Sequence, residues 1–290
     1  MRATRWLVFG ASGLVGGELV RHLREEGRSV EGAARHRIGD ATHVVDLERS
    51  ADVERAIGEL APDVIVVASA WPYVDGCERE PSKSHIANVD TVANVAQALD
   101  HLDSAARIVF YSTDHVFDGA KPTPYVESDP AAPLSVYAKH KREVETMLLA
   151  RGRALIVRTA WVFGPEVREK NFVYRVIAAS RAGETLQLPE AQAGCPTSAR
   201  WLANVTSEWV DQGLEGVVHA TGTECLTKAE WARTIASALG LSLEVEEVAW
   251  AKAGQVAPRP ERVALASERH ALVHPPLVET LRRLSTSFVT

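Results

Sequence analysis

WLVFGASGLVGGELVRHLREEG, residues 6–27, is the stretch that decides the fold. Trp6 to Phe9 form a short apolar run that stops at Gly10, and Leu14 to Glu26 place apolar residues at helical spacing up to Gly27. The pattern reads as strand, tight turn, helix and glycine stop. Gly10, Gly13 and Gly16 make the turn G-x-x-G-x-x-G. A sharp strand-to-helix turn needs glycine in any case, but at the first strand of a chain it also lets a pyrophosphate approach the backbone, where a helix N-terminus attracts its charge. The turn residues Gly10, Ser12, Gly13, Leu14, Val15 and Gly16 are therefore expected to hold a dinucleotide.

Working outward, a second strand is expected over Ser29 to Ala34 and a short third one ending at Val45. Val53, Ala56, Ile57 and Leu60 recur at helical spacing, and DVIVVASA after Pro62 suits a strand covered on both faces. A helix is expected over Glu80 to Leu102, then strands at Ile108–Ser112, Ala154–Phe163 and Gly216–Gly222. This alternation predicts an α/β fold, a Rossmann-type doubly wound parallel sheet with a smaller C-terminal α/β substrate lobe. Residues 1–163, with a returning segment at about 196–222, are assigned to the dinucleotide-binding domain, and 164–195 with 223–290 to the lobe. Neither an internal repeat nor a low-complexity segment is seen.

Composition narrows the function classes. Hydrophobic residues make up 46% and charged residues 24% of the 290, and the net charge of -6 argues against nucleic acid or an anionic membrane as the main partner. The opening apolar stretch is too brief for a signal h-region and no stretch reaches spanning length, so a cytoplasmic protein is expected. Cys77, Cys195 and Cys225 form no C-x-x-C pair, which predicts reduced thiols and no disulfide framework. The ten histidines, His36, His140 and His270 among them, fall in no metal-binding spacing, so no metal is expected. Asp75 and Glu78 read as a solvated loop, and no G-x-S-x-G elbow marks a nucleophilic serine.

The end of the second strand bears on the cofactor. An acid there would hold the ribose hydroxyls of NAD, but the segment reads Ala33-Ala34-Arg35-His36-Arg37. Arg35 and Arg37 suit a 2′-phosphate, which favours NADP(H) and leaves NAD(H) possible. Asp46 and Leu47 are expected near the adenine, and Ala68, Ser69 and Ala70 on the nicotinamide side. Tyr137 and Lys141 lie four residues apart, about one helical turn, so phenol and ammonium share a helix face. A cation beside a phenol lowers its pKa, and the tyrosine can then exchange a proton near neutral pH.

Several motifs occur in order: GASGLVG, YSTDHVFDG (Tyr111 to Gly119), Y-x-E-x-D-x-x-x-P-x-x-x-Y-x-x-x-K (Tyr125 to Lys141), RTAWVFG (Arg158 to Gly164), Asn171-Phe172, Q-x-G-x-P-T (Gln192 to Thr197) and Arg259-Pro260. Over nearly its full length the chain resembles the extended short-chain dehydrogenase/reductases, and most closely the dTDP-4-dehydrorhamnose reductase family. That resemblance implies an enzyme in which Thr113 hydrogen-bonds a substrate carbonyl, with Ser112 as its backup. It implies that Tyr137 protonates the oxygen and that Lys141 holds the nicotinamide ribose. Asn88 is implied to bridge backbone and active-site water, and Asp114, His115, Trp161, Asn171 and Arg259 to face the substrate, Trp161 against a deoxysugar ring. The implied reaction is NADPH-dependent reduction of a ketone, most naturally the 4-keto group of a nucleotide-linked deoxysugar, with a homodimer possible.

The chain departs from the family pattern mostly in its substrate region. His115 replaces the tyrosine of S-T-D-Y-V-F, the segment after Arg259-Pro260 lacks L-D-x-x-K, and no aspartate stands immediately before Gln192. Two alternatives stay open at this level: a nucleotide-sugar epimerase or dehydratase with tightly bound NAD, and a non-catalytic NADP-binding subunit like the regulatory partner of methionine adenosyltransferase.

Overall fold

A computed structural model describes residues 3–249, 254–271 and 273–289. The first half runs β1 (Arg5–Phe9), α1 (Leu14–Glu25), β2 (Ser29–Ala34), β3 (His43–Val44), α2 (Ser50–Leu60), β4 (Val64–Val67) and the short α3 (Val74–Arg79). A long helix follows, built of α4 (Pro81–His85), a π-helical turn (Ile86–Asp90) and α5 (Thr91–His101), then β5 (Arg107–Thr113), α6 (Val136–Arg151), β6 (Ala154–Thr159) and β7 (Val162–Phe163). The remainder comprises α7 (Phe172–Ala182), β8 (Leu186–Pro189), β9 (Ala193–Gly194), β10 (Thr197–Ser198), α8 (Ala199–Asp211), β11 (Gly216–His219), β12 (Leu226–Thr227), α9 (Lys228–Leu239), β13 (Val245–Val248) and α10 (Leu277–Val289).

Seven strands form one sheet in the order β11-β6-β5-β4-β1-β2-β3, with every pairing parallel. The buried strands β4, β5 and β6 need apolar side chains on both faces, which is why their sequences are near-continuous apolar runs. Alternation along β1 divides the core. Leu7 and Phe9 pack towards α2, α5 and α6, whereas Trp6 and Val8 pack towards α1 and α8. The strand order reverses between β1 and β4, and a crevice opens at their carboxyl ends.

A separate apolar cluster joins Phe163, α7, β8, α9 and α10, with β13 paired to β8. The C-terminal segment ties this region to the sheet: Tyr125 donates its N–H to Ala264, Ala266 donates to Tyr125, and Ala193 donates to Glu261. Among the described residues no helix is long and apolar enough to cross a membrane.

Four local expectations are corrected. The helix expected from Glu80 begins at Pro81, where proline suits a first turn, and a separate helix precedes it. The strand expected over Ala154–Phe163 breaks at Trp161, whose φ of 41° is left-handed, and β7 leaves the main sheet to pair with β10. Asp75 and Glu78 are not a solvated loop: Asp75 accepts from the backbone of Val256 and Ala257, and Glu78 accepts from Val136 N at the start of α6. Cys195 and Cys225 are joined in a disulfide, not reduced. Antiparallel pairing of β9 with β12 sets Gly194 opposite Leu226, so the next residues outward, Cys195 and Cys225, face each other across 30 positions of sequence.

Candidate active site

The turn after β1 is shaped to receive a dinucleotide. Gly10 has φ of 90°, and a Cβ there would lie 2.6 Å from the Ser69 nitrogen; at Gly16 it would run into the Gly10 carbonyl. Gly13 caps α1 without a side-chain hydrogen bond, and the first turn of α1 has no acid, so its N–H groups are left to an anion. The adjoining cleft of 570 Å³ is lined by Gly10, Ser12, Ala34, Leu47, Ser69 and Ala70, among others. Backbone cradle, helix end and cleft fit a bound dinucleotide. Ala68 lies one residue below the rim, its N–H donated to Phe9 O.

The charged residues expected around the adenosine end are arranged differently. Arg35 lines the cleft, but its Nη2 donates to Asp46 Oδ1 at 3.1 Å and to the Glu48 carboxylate. Asp46 thus holds an arginine, and Arg37 is exposed and outside the cleft wall. Arg168, which sequence reasoning missed, reaches in from the β7–α7 loop and donates to Ser12 Oγ at 3.2 Å. Its only signal was a cation in the charged run VREK, which reads as solvated loop.

At the carboxyl end of β5 stand Thr113, Tyr137 and Lys141. Thr113 caps a 3₁₀ turn over Asp114–Val116: its Oγ1 accepts from His115 N and donates to Asp114 Oδ1 at 3.1 Å. The capping bond of Ser135 to Ala138 starts α6, which packs against that turn. Lys141 is buried, donates to Tyr111 O at 2.8 Å, and lies 6.0 Å from the centre of the Tyr137 ring. Burial pulls its pKa down to about 8, against the opposing charge of Glu145. The phenol moves opposite to the expected direction. Burial and then the Asp114 carboxylate push the pKa of Tyr137 upward.

Ser112 is not a backup for Thr113, because its hydroxyl is spent on Glu145 Oε1 at 2.6 Å. Glu145 also receives Nε and Nη2 of Arg158 at 2.9 and 2.7 Å, and lies one turn beyond Lys141. Successive turns of α6 therefore grip Tyr111 and Ser112 of β5. Asn88 is a buried clamp: its Oδ1 accepts from Trp71 N at 2.8 Å and its Nδ2 donates to Ser84 Oγ at 3.2 Å. It fixes the loop after β4 through the π-helical turn, which turns residue 88 inward.

On the substrate side the structure gathers some of the expected residues and spends others on support. Asp114 and His115 lie beside Thr113. Burial raises the pKa of Asp114 and lowers that of His115, and His115 Nδ1 is buried with no hydrogen-bond partner among the described residues. Trp161 is half-buried, with Gly194 against its edge and Lys228 Nζ 3.6 Å from a ring centre. The disulfide flanks both neighbours. Arg259 is tied to Asp75 Oδ1 at 2.9 Å. Asn171 caps α7 and donates to Gly164 O and Glu166 Oε1, so both of its amide hydrogens are spent on support. The acids of the Tyr125 motif are likewise structural: Glu127 accepts from His219 N, Ser267 Oγ and Glu268 N, and Asp129 accepts from Val126 N and Lys121 Nζ.

Known proteins share the sequence and the fold of this chain over most of its length. A dTDP-4-dehydrorhamnose reductase of Burkholderia thailandensis is 33% identical over 79% of this chain and 69% of its own. The spore coat polysaccharide biosynthesis protein SpsK of Bacillus subtilis is 30% identical over 89% of this chain and 87% of its own. The crystal structure of dTDP-4-dehydrorhamnose reductase from Bacillus anthracis in complex with NADP superposes with a TM-score of 0.88 at 26% identity, covering 98% of this chain and 99% of that one. Residues 4–281 match the model of the RmlD substrate binding domain, and the chain belongs to that family of extended short-chain dehydrogenase/reductases.

Proposed function

We propose that the protein is an NADPH-dependent reductase that converts the 4-keto group of a nucleotide-linked deoxysugar to an alcohol. The observation that carries this reading is the approach of α6 to the end of β5, with Tyr137 and Lys141 on the helix and Thr113 on the strand, next to a glycine cradle suited to pyrophosphate. The relatives named above as dTDP-4-dehydrorhamnose reductases support the sugar assignment and favour reduction over epimerisation or a non-catalytic role.

Bound NADPH supplies hydride to the carbonyl carbon. Gly10, Gly13 and Gly16 would take its pyrophosphate, and Lys141 its nicotinamide ribose. Thr113 Oγ1 would donate to the ketone oxygen, turning from its present bond to Asp114. Tyr137 would deliver the proton to that oxygen, and a phenol held protonated by burial and by Asp114 is already in the form a reduction consumes. Lys141, with a pKa near 8, can replace that proton at the phenol oxygen or hold it in place at neutral pH.

The test is a panel of nucleotide-linked 4-ketosugars and simple ketones, followed by NADPH and NADH absorbance in parallel. Oxidation of NADPH by a nucleotide-linked 4-ketosugar is the expected result. Activity on simple ketones alone would discard the sugar, and a stoichiometric protein partner with no oxidisable pair would discard the enzyme.

A further inference from the structure

Lys228 is the first residue of α9, within electrostatic reach of Asp114 and His115 at the end of β5. Its ammonium lies 3.6 Å from the centre of the Trp161 ring and 4.5 Å from that of Phe172, and among the described residues Nζ has neither a hydrogen-bond acceptor nor an ion-pair carboxylate. The other charges that reach this corner are already engaged or of the same sign. Arg259 is paired with Asp75, Asp114 accepts from Thr113, and Arg175 on α7 and His115 beyond the β5 end add no anion. Two aromatic faces offset part of the desolvation of an ammonium but do not supply the acceptors that its three N–H bonds need. Burial and then Arg175 draw its pKa down to about 7, with Asp114 opposing the shift from beyond ion-pair distance.

The wall around it is built to hold it still. Gly194 leaves room for the edge of Trp161, and the Cys195–Cys225 disulfide joins the strand carrying Gly194 to the strand that leads into Lys228. The backbone of Lys228 donates to Gln192 O, and the capping box of Thr227 and Glu230 fixes the helix start.

We propose that Lys228 is a specificity-determining residue that receives an oxyanion of the substrate, seated over Trp161 and opposite Thr113 and Tyr137. Two parts of a substrate carry such an oxyanion: the phosphates of a nucleotide diphosphate, or a carboxylate on the sugar. This inference rests on the ketoreductase site of the preceding section, so its test reads binding alone. Calorimetric titrations would use the protein with saturating NADP⁺, in its wild-type form and as Lys228→Met and Lys228→Arg. The probes are thymidine diphosphate, inorganic pyrophosphate and free glucuronate, with thymidine and glucose as uncharged controls.

Loss of one charge-assisted contact weakens binding by about tenfold to a hundredfold. Lys228→Met, which keeps the apolar stem over Trp161, is expected to lose that much for at least one anion and nothing for the controls, with Lys228→Arg recovering most of it. Response to the phosphate probes alone assigns the diphosphate, and response to glucuronate alone assigns a sugar acid. Equal affinities in wild-type and Lys228→Met protein for every anion, or no binding of any of them by the wild type, overturn the assignment. Neither result touches the ketone reduction, which is read by cofactor absorbance.

Discussion

Replacing Glu145 with leucine tests how the helix that carries Tyr137 and Lys141 is held. The carboxylate is fully buried and accepts from Ser112 Oγ, from Arg158 Nε and Nη2, and from Arg142 Nη1 at 3.0 Å. Arg158 is 2% exposed, and without Glu145 it keeps, among the described residues, His219 Nε2 at 3.4 Å and the face of the Phe117 ring but no carboxylate. Removing one member of a buried pair costs about 3–5 kcal/mol, because the surviving charge stays buried without its counter-charge. At roughly 2 °C per kcal/mol for a large domain, Tm should fall by about 6–10 °C. The same accounting makes an unusual forecast for the double variant. Adding Arg158→Met removes the stranded guanidinium and should return a large part of the loss, short of all of it because the Ser112 hydroxyl remains without an acceptor, worth about 1–3 kcal/mol. Urea and thermal denaturation of the wild type, both single variants and the double variant close the cycle. A Glu145→Leu protein within about 1 kcal/mol of wild type, or a double variant less stable than Glu145→Leu alone, would refute the reasoning. Turnover should fall with stability in the single variant, since the turn of α6 beyond Lys141 would lose its grip on Ser112.

Three further outcomes follow from the site. Tyr137→Phe should lower turnover by roughly a hundredfold to ten-thousandfold, the range of a positioned general acid, while NADPH binding by fluorescence titration stays unchanged. Lys141, ordinarily at 10.5 and drawn down to about 8 by burial, binds fewer protons folded than unfolded between those values, so its contribution to stability rises with pH across that window by up to about 3 kcal/mol and is absent below pH 8. Urea midpoints measured from pH 7 to 10 should show this slope in the wild type and a flatter one in Lys141→Met. Glu48→Gln should release Arg35 towards a 2′-phosphate and lower KM for NADPH a few-fold with NADH unchanged, since charge-assisted bonds of this kind are worth about 1.5–3 kcal/mol when formed and part of that is now spent on Asp46 and Glu48.

What could be read in the chain and what could not divides along a physical line. The glycine turn, the alternating strands and helices and the Tyr137–Lys141 spacing are local: each depends on residues within a turn or two of one another, and apolar periodicity reports them directly. Side-chain commitments are non-local. The Cys195–Cys225 bond needs the pairing of β9 with β12, and the link from Asp75 to Arg259 spans 184 positions, so neither leaves a mark in nearby sequence. Trp161 shows the consequence for function. Its left-handed backbone lies hidden inside a run that reads as strand, yet it stands between the end of β6 at Thr159 and β7, which pairs in another sheet, and its indole lies against Lys228.

Motif residues are also poor guides to which groups touch a ligand, because a polar side chain can be required for either reason. Tyr125, Glu127, Asp129 and Asn171 all belong to motifs of the family pattern, and all four spend their hydrogen bonds inside the protein: Tyr125 on Asp118 at 2.7 Å, Glu127 on the β11 end, Asp129 on Lys121, Asn171 on the start of α7. Buried polar groups must be satisfied wherever they stand, so a lobe that closes over a sheet carries many such anchors. The groups with bonding capacity to spare are fewer. Lys228 has no acceptor and His115 Nδ1 has no partner among the described residues, while Thr113 is held only by its own 3₁₀ turn. Unspent hydrogen-bonding capacity complements motif membership as a guide to ligand-facing groups, and it points to His115, which departs from the family pattern, and to Lys228, which stands outside its motifs.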